Sequence, residues 1–432
     1  MRAVLSAPEP AAFRGPRIIV AALLSAAISL GCTLGIFGVF LGPLAEEFAA
    51  PKAQLALGNS LWQAAMGLGA PVVGWLLVRY SVRTFMAVGG CLLGVGLAAV
   101  SRAEPLWLVG VFYFAAGIGS VLCGPLPSWT IVANWYIERR GRALGIAMNG
   151  STIGMALMPV LAASLIGWLG WRDAMLWIGV GATGVIVPVV LRWVVLRPEH
   201  VGQGPDGSTP TQSLPAQADE HRPLPTGQVL RDRRFQLIAG IYACFFGAST
   251  ALLVFIVSFA TSLGLTLQSG ALMLSVRALS TVVGRTLCGE LADRMDNRLL
   301  LGLVVTGYGA LWLTLSYADS IGFLFVAALA MGFFEGALGP LQGSIIGKVF
   351  GRHVFSQVLG LKSGAMLPVN LSAPPLFGLL LDISGDDYGF AFRCFLGLFA
   401  VALVLVFFLR IPEHGPDDDA SPAAPPQRHA SD

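Results

Sequence analysis

The chain has 432 residues, 55% hydrophobic and only 12% charged, with a mean hydropathy of +0.74. Such a composition excludes an ordinary soluble domain and reads as an integral membrane protein. A formal net charge of +3 is too small to suggest a nucleic-acid partner. The six cysteines lie in apolar segments with no CxxC and no Cys/His cluster, so neither a disulfide framework nor a metal site is expected.

Residues 1–16, with Pro8, Pro10 and Pro16, read as a cytoplasmic N-terminal segment. The apolar run that follows is expected to be a retained helix rather than a signal peptide. Apolar stretches of spanning length, about 20 residues, fall at 17–42, 55–78, 84–101, 106–133, 143–168 and 171–196. A second six fall at 235–263, 269–290, 299–318, 320–346, 356–381 and 389–411. The expected fold is all-α, twelve transmembrane helices in two six-helix bundles, 17–196 and 235–411. Residues 197–234, rich in Pro, Gly, Ser and Gln, read as a cytoplasmic linker and 412–432 as a disordered cytoplasmic tail.

Basic residues set the expected orientation. With the N-terminus inside, twenty Lys and Arg residues collect on the cytoplasmic side, and only Lys52, Arg102, Arg172 and Arg393 on the other. Three more, Arg277, Arg285 and Lys362, fall inside helices. The halves also repeat at a constant offset of 215 residues. Gly69, Gly74, Leu76, Arg79 and Arg83 find identical residues at Gly284, Gly289, Leu291, Arg294 and Arg298, and Gly124-Pro125-Leu126 recurs as Gly339-Pro340-Leu341. Two parallel repeats with a site between them at mid-membrane are transporter architecture.

Arg285 lies roughly 12 Å inside the charged turn at Asp293, near mid-membrane, where an arginine is costly unless it faces protein or water. Arg277 is two turns further out, with Thr281 between them. Glu335 is the carboxylate in a helix interior: either a proton-coupling group, because its proton occupancy depends on its neighbours, or a fixed counter-ion to Arg277 or Arg285. Asn59 and Gln63 share a helix face by their spacing, and Asn149, Gln342 and Asn370 are further polar groups in apolar surroundings. These five serve either a ligand or helix-to-helix hydrogen bonds. No phosphate-binding Gly-Lys loop, HExxH or Ser/His/Asp set is present, so neither an enzyme nor a cofactor is expected.

The turn Gly289-Glu290-Leu291-Ala292-Asp293-Arg294 with Arg298 resembles the cytoplasmic loop signature of the major facilitator superfamily. Its partner, Gly74 to Arg79 with Arg83, keeps the Gly and Arg but lacks the acidic residue. The resemblance implies a gating role for Gly74, Arg79, Arg83, Gly289, Asp293, Arg294 and Arg298; a purely topogenic loop is the plainer alternative. Asn134 to Ala147, continuing to Gly150 and Gly154, and Val283-Gly284-Arg285 with Gly289 resemble the monocarboxylate transporters and the oxalate:formate antiporters of that superfamily. This resemblance implies a substrate-carboxylate role for Arg285. Lys362 lies one turn from the position, near Met366, of a binding lysine in the antiporters, or it snorkels. Two positions depart from the monocarboxylate pattern: the acidic residue one turn before the arginine is Thr281 here, and the first-helix lysine aligns with Gly35.

The expectation is a multi-pass secondary transporter of the inner, or plasma, membrane with both termini cytoplasmic, moving a small organic anion, a monocarboxylate or dicarboxylate, by alternating access. Its partners would be that anion, the bilayer and, as one coupling option, protons, and the chain is expected to act as a monomer. The alternatives are a proton-coupled exporter of drugs or neutral metabolites and, from another class, a membrane sensor, for whose output module the linker and tail read as too polar and short.

Overall fold

The computed structural model describes residues 13–136, 139–207, 225–317, 321–350 and 354–412; the side chains of 70–72, 74–79, 140, 141, 293, 321, 355 and 356 are not among those described. Within them run twelve long helices: α1 Gly15–Phe48, α2 Lys52–Arg79, α3 Val82–Val100, α4 Leu106–Trp135, α5 Arg140–Leu169, α6 Trp171–Trp193, α7 Arg233–Ser262, α8 Leu267–Arg294, α9 Asn297–Leu315, α10 Ile321–Phe350, α11 Phe355–Ser384 and α12 Tyr388–Phe408. Eleven are long and apolar enough to cross a membrane. The other, α2, is 28 residues long and packs along α4 and α11. Helix is what a spanning chain must form, because hydrocarbon offers the backbone no hydrogen-bonding partner.

Helix ends follow local chemistry. Asp232, Thr266, Asp296 and Asp387 accept from backbone N–H groups at the starts of α7, α8, α9 and α12, which satisfies donors left over in a first turn. Several helices run past the apolar stretch that marks them, as α1 does in reaching Phe48 and α10 in reaching Phe350. Between the sixth and seventh helices the chain forms turns at Pro198–Val201 and Pro205–Gly207 and a short helix Thr226–Arg231, with 208–224 outside the described residues.

Two interruptions shape the first half. A π-turn at Gly31–Gly35 interrupts α1, and Thr33 there accepts a hydrogen bond on its carbonyl from the Tyr113 hydroxyl at 2.6 Å. Helix α4 breaks at Gly124, whose backbone leaves the helical region just before Pro125. The repeat-related Pro340 instead sits inside an unbroken α10.

Each half packs through small residues. A Cβ on Gly150 or Gly154 of α5 would collide with the backbone of Leu23 or Ala27 in α1, and one on Gly284 or Gly336 would collide across the α8–α10 pair. Such close backbone approach is how helices associate in lipid. Repeat symmetry is visible in contacts too: Arg83 Nε donates to the Val194 carbonyl at the end of α6, and Arg298 Nε to the Val406 carbonyl at the end of α12.

Candidate functional site

The four charged side chains that the sequence places inside helices, Arg277, Arg285, Glu335 and Lys362, belong to the second half. Arg277, Arg285, Glu335 and Lys362 have Trp62, Ala70, Ser120 and Ala147 as their counterparts 215 residues earlier. The duplicated scaffold therefore carries charge on one side of its pseudo-symmetry axis.

Three helices bring the first polar layer together. Arg277 of α8 places Nη2 at 2.7 and 2.6 Å from the two carboxylate oxygens of Glu335 on α10. Tyr308 of α9 donates to the same carboxylate at 2.9 Å and Ser249 of α7 makes a short hydrogen bond to it. Arg277 and Glu335 are both about 9% exposed at the side chain. Paired charge with additional donors is the arrangement that a buried carboxylate needs. Arg277 Nε is the atom of the group left without a hydrogen-bond partner. Thr281 closes back on its own helix, donating to the Arg277 carbonyl at 3.0 Å.

A second layer lies seven residues along. On α7 the step is from Ser249 to Tyr242, and on α10 from Glu335 to Gln342, which is roughly 10 Å in each helix. Here Lys362 of α11, 3% exposed, bonds to the Gln342 side-chain oxygen, and its Nζ stands 4.1 Å from the centroid of the Tyr242 ring. Its contacts among the described residues are an amide oxygen and a π-face, with no carboxylate.

Arg285 lies between the layers in depth and differs from both other cations. Its residue is exposed, and no ion pair or side-chain hydrogen bond engages it among the described residues. At about 100° per residue it falls near Ala278 on α8, between the direction of Ser275, which meets α5 of the other half, and that of Arg277, which meets α10. Behind it, the Arg285 backbone packs on Gly336 of α10.

Contacts between the halves run from one membrane face inward. At that face Asp382 of α11 accepts from the backbone N–H groups of Lys52 and Ala53 at 2.9 and 3.0 Å, capping α2 from the opposite half, while Lys52 Nζ meets Asp386 at 2.7 Å. Further in, Ser60 Oγ donates to the Leu371 carbonyl at 2.6 Å and Gln63 Nε2 to the Asn370 carbonyl at 3.0 Å. These acceptors are free because Pro374 and Pro375 have no N–H to return to residues 370 and 371. The last of the series among the described residues is Gly67 against Leu367, about 22 Å along α2 from Lys52. Lys362 and Arg285 both lie beyond the levels where these contacts are made, toward the arginine-rich end.

The remaining candidates are dispersed. Asn59 is 1% exposed with neither side-chain atom hydrogen-bonded, and Asn149 is exposed on α5. Arg83 and Arg298 reach helix C-terminal carbonyls inside their own halves rather than across them. Arg294 is exposed and Gly289 faces Pro340. Positions Gly74, Arg79 and Asp293 lie outside the described side chains. Ser249, Tyr308, Tyr242 and Asp382 are site residues that the sequence reading did not single out. Hydroxyl groups inside the apolar helices α7 and α9 were the available signal for the first three, but Thr250, Ser258 and Thr306 carry the same signal there.

The profile of the Major Facilitator Superfamily matches residues 23–301 and 238–430. The chain belongs to the major facilitator superfamily. Among curated relatives of this superfamily protein, Monocarboxylate transporter 12-B of Danio rerio is 26% identical over 398 residues, covering 87% of this chain and 83% of that one. Monocarboxylate transporter 1 of Rattus norvegicus is 27% identical over 404 residues, covering 86% and 80%. Among solved structures, a bacterial homolog of the human lysosomal transporter Spinster, inward-facing and occupied, superposes with a TM-score of 0.68 at 16% identity over 91% of this chain and 96% of that one. The nucleoside transporter NupG does so with 0.72 at 12% identity over 92% and 99%. The fold of this major facilitator protein is thus the twelve-helix, two-bundle one, and its family role is transport across a membrane rather than catalysis.

Proposed function

We propose that the chain is a secondary active transporter of a small organic anion, a monocarboxylate or dicarboxylate, working by alternating access. One observation carries the reading: Glu335 is already neutralised by Arg277, which leaves Arg285 and Lys362 as cations without a carboxylate partner among the described residues. An anionic substrate would supply the missing charge. Arg285, exposed on a helix that packs against the other half, offers a planar fork suited to a carboxylate. The relatives named as monocarboxylate transporters point to the same substrate class.

In this reading 17–196 and 235–411 rock against each other, both termini lie in the cytoplasm of a cell whose inner or plasma membrane holds the protein, and the chain works as a monomer. Asp293 with the arginines of the two turns closes the cytoplasmic side, and Asn59, Gln63 and Asn149 contribute polar surface to the pathway. Glu335 serves as the proton-coupling group.

The test is uptake into proteoliposomes of a panel of labelled monocarboxylates, dicarboxylates and neutral metabolites, with Arg285→Gln as the control variant. Saturable uptake of a carboxylate that fails in a folded Arg285→Gln protein supports the reading. Uptake of neutral compounds alone, unaffected by the substitution, overturns it.

A further inference from the structure

The two ends of this molecule treat their basic residues differently. At the Asp382 end Lys52 pairs with Asp386, Arg172 with Glu47 and Arg393 with Asp387, and Arg102 alone is exposed without an ion pair among the described residues. At the opposite end Arg14, Arg17, Arg192, Arg233, Arg234 and Arg410 are exposed and make no ion pair among the described residues. These six are not scattered. Arg233 and Arg234 at the start of α7 and Arg410 just past α12 line a cavity of about 790 Å³ whose apolar wall includes Phe407 and Phe408. In the other half, Arg14 and Arg17 at the start of α1 and Arg192 at the end of α6 line one of about 370 Å³ beside Trp193. Trp193 and Phe408 stand 215 positions apart, so the two cavities occupy corresponding ends of the two halves, although their arginines do not match position for position. Asp232, the acid in the larger cavity, is committed to the Arg234 backbone N–H at 2.7 Å.

The larger cavity also continues into the membrane. It shares Arg298 and Phe407 with a groove of about 470 Å³ between α9 and α12, walled by Leu299, Leu303, Leu403 and Val406. Leu299 and Leu303 are more than half exposed and Phe407 is 71% exposed. A basic cup at the membrane boundary opening into an apolar groove matches a molecule with a phosphate at one end and hydrocarbon at the other. Free phosphate would have no use for the groove. Arginines serving only to orient the chain would need neither the aromatic wall nor the clustering.

We propose that each half binds one anionic phospholipid, its phosphate held by the arginines at the first and last helix of that half, with an acyl chain in the α9–α12 groove of the second half.

Native mass spectrometry of the full chain released from nanodiscs of mixed phosphatidylcholine and phosphatidylglycerol tests this. Two retained phosphatidylglycerol molecules per chain are expected. Each arginine near an anionic headgroup is worth about a fivefold factor, so the Arg233→Gln/Arg234→Gln/Arg410→Gln variant should hold one of them roughly a hundredfold more weakly. The Arg14→Gln/Arg17→Gln/Arg192→Gln variant should weaken the other, and the matching lysine triples should retain most of the binding. Should a glutamine triple not fold, the single Arg410→Gln variant is read for a loss of about fivefold. Unchanged retention in the glutamine variants overturns the proposal. So does displacement of the lipid by soluble glycerol phosphate at equal concentration, which would mean that the cups read a free phosphate.

Discussion

The hydroxyl of Ser60 in the first half donates to the Leu371 carbonyl in the second, and Ser275 in the second half donates to the Ala156 carbonyl in the first. Both donor and acceptor of one bond lie 215 positions from those of the other, so a single inter-half contact has been made twice by duplication. Ser60→Ala or Ser275→Ala should favour opening at the Asp382 end by about 1 kcal/mol each, and the double variant by about the sum. Spin-label distances between the ends of α2 and α11 would report the shift. Unchanged distances in the double variant would show that the hydroxyls do not hold the halves together.

Pro375 creates the acceptor that Ser60 uses, by leaving the Leu371 carbonyl without its helical donor. Pro375→Ala should return that donor to the Leu371 carbonyl and weaken the inter-half bond. The expected result is a higher thermal stability with slower transport.

Asp382 caps α2 from the far half, and caps are worth about 0.5–2 kcal/mol. Asp382→Ala should raise the population open at that end by a factor of a few to about thirty. Asp386→Ala, which removes only the exposed partner of Lys52, should do far less. Equal effects of the two substitutions, measured by labelling of cysteines placed in the seam, would contradict the assignment of the cap.

Arg277 and Glu335 form a pair that is costly to break from one side. Glu335→Ala should destabilise the fold by about 3–5 kcal/mol, and Arg277→Met/Glu335→Leu should recover most of the loss. Glu335→Gln keeps groups able to bond Ser249 and Tyr308; it should abolish pH-driven accumulation while substrate exchange continues. Intact pH-driven uptake by that variant would make the carboxylate a structural counter-ion only.

Arg285→Lys keeps the charge and loses the fork, so it should retain weak carboxylate binding. Arg285→Gln should lose most of it, roughly the 2–5 kcal/mol of a truncated hydrogen-bonded charge pair once substrate excludes water. Wild-type affinity in a folded Arg285→Gln protein would remove the residue from the site.

The helix count and the duplication were legible in the sequence because each rests on a local signal, either an apolar run of spanning length or a fixed offset. The pairing of Glu335 with Arg277 stood among the alternatives that the sequence left open. What the sequence could not convey is which distant segments meet. Asp382 and Lys52 are separated by 330 positions, and nothing near either marks the other as a partner. The inter-half role of Pro374 and Pro375 was hidden for a similar reason: a proline announces a free carbonyl, but not the side chain that will fill it. Arg83 and Arg298 reach helix C-terminal carbonyls inside their own halves, a choice of partner that likewise required the fold.

The break at Gly124 gives the two halves different mechanical characters. Helix α4 comes as two rods joined at a residue outside the helical region, followed by a proline that cannot bridge the gap with a hydrogen bond. Helix α10 carries the matching proline within one continuous rod, and that rod holds Glu335 and Gln342, which carry both polar layers. Helix α4 is therefore jointed where α10 is continuous: Glu335 and Gln342 keep their mutual spacing along one rod, while the counterpart helix, which bears neither group, has a point at which it can bend.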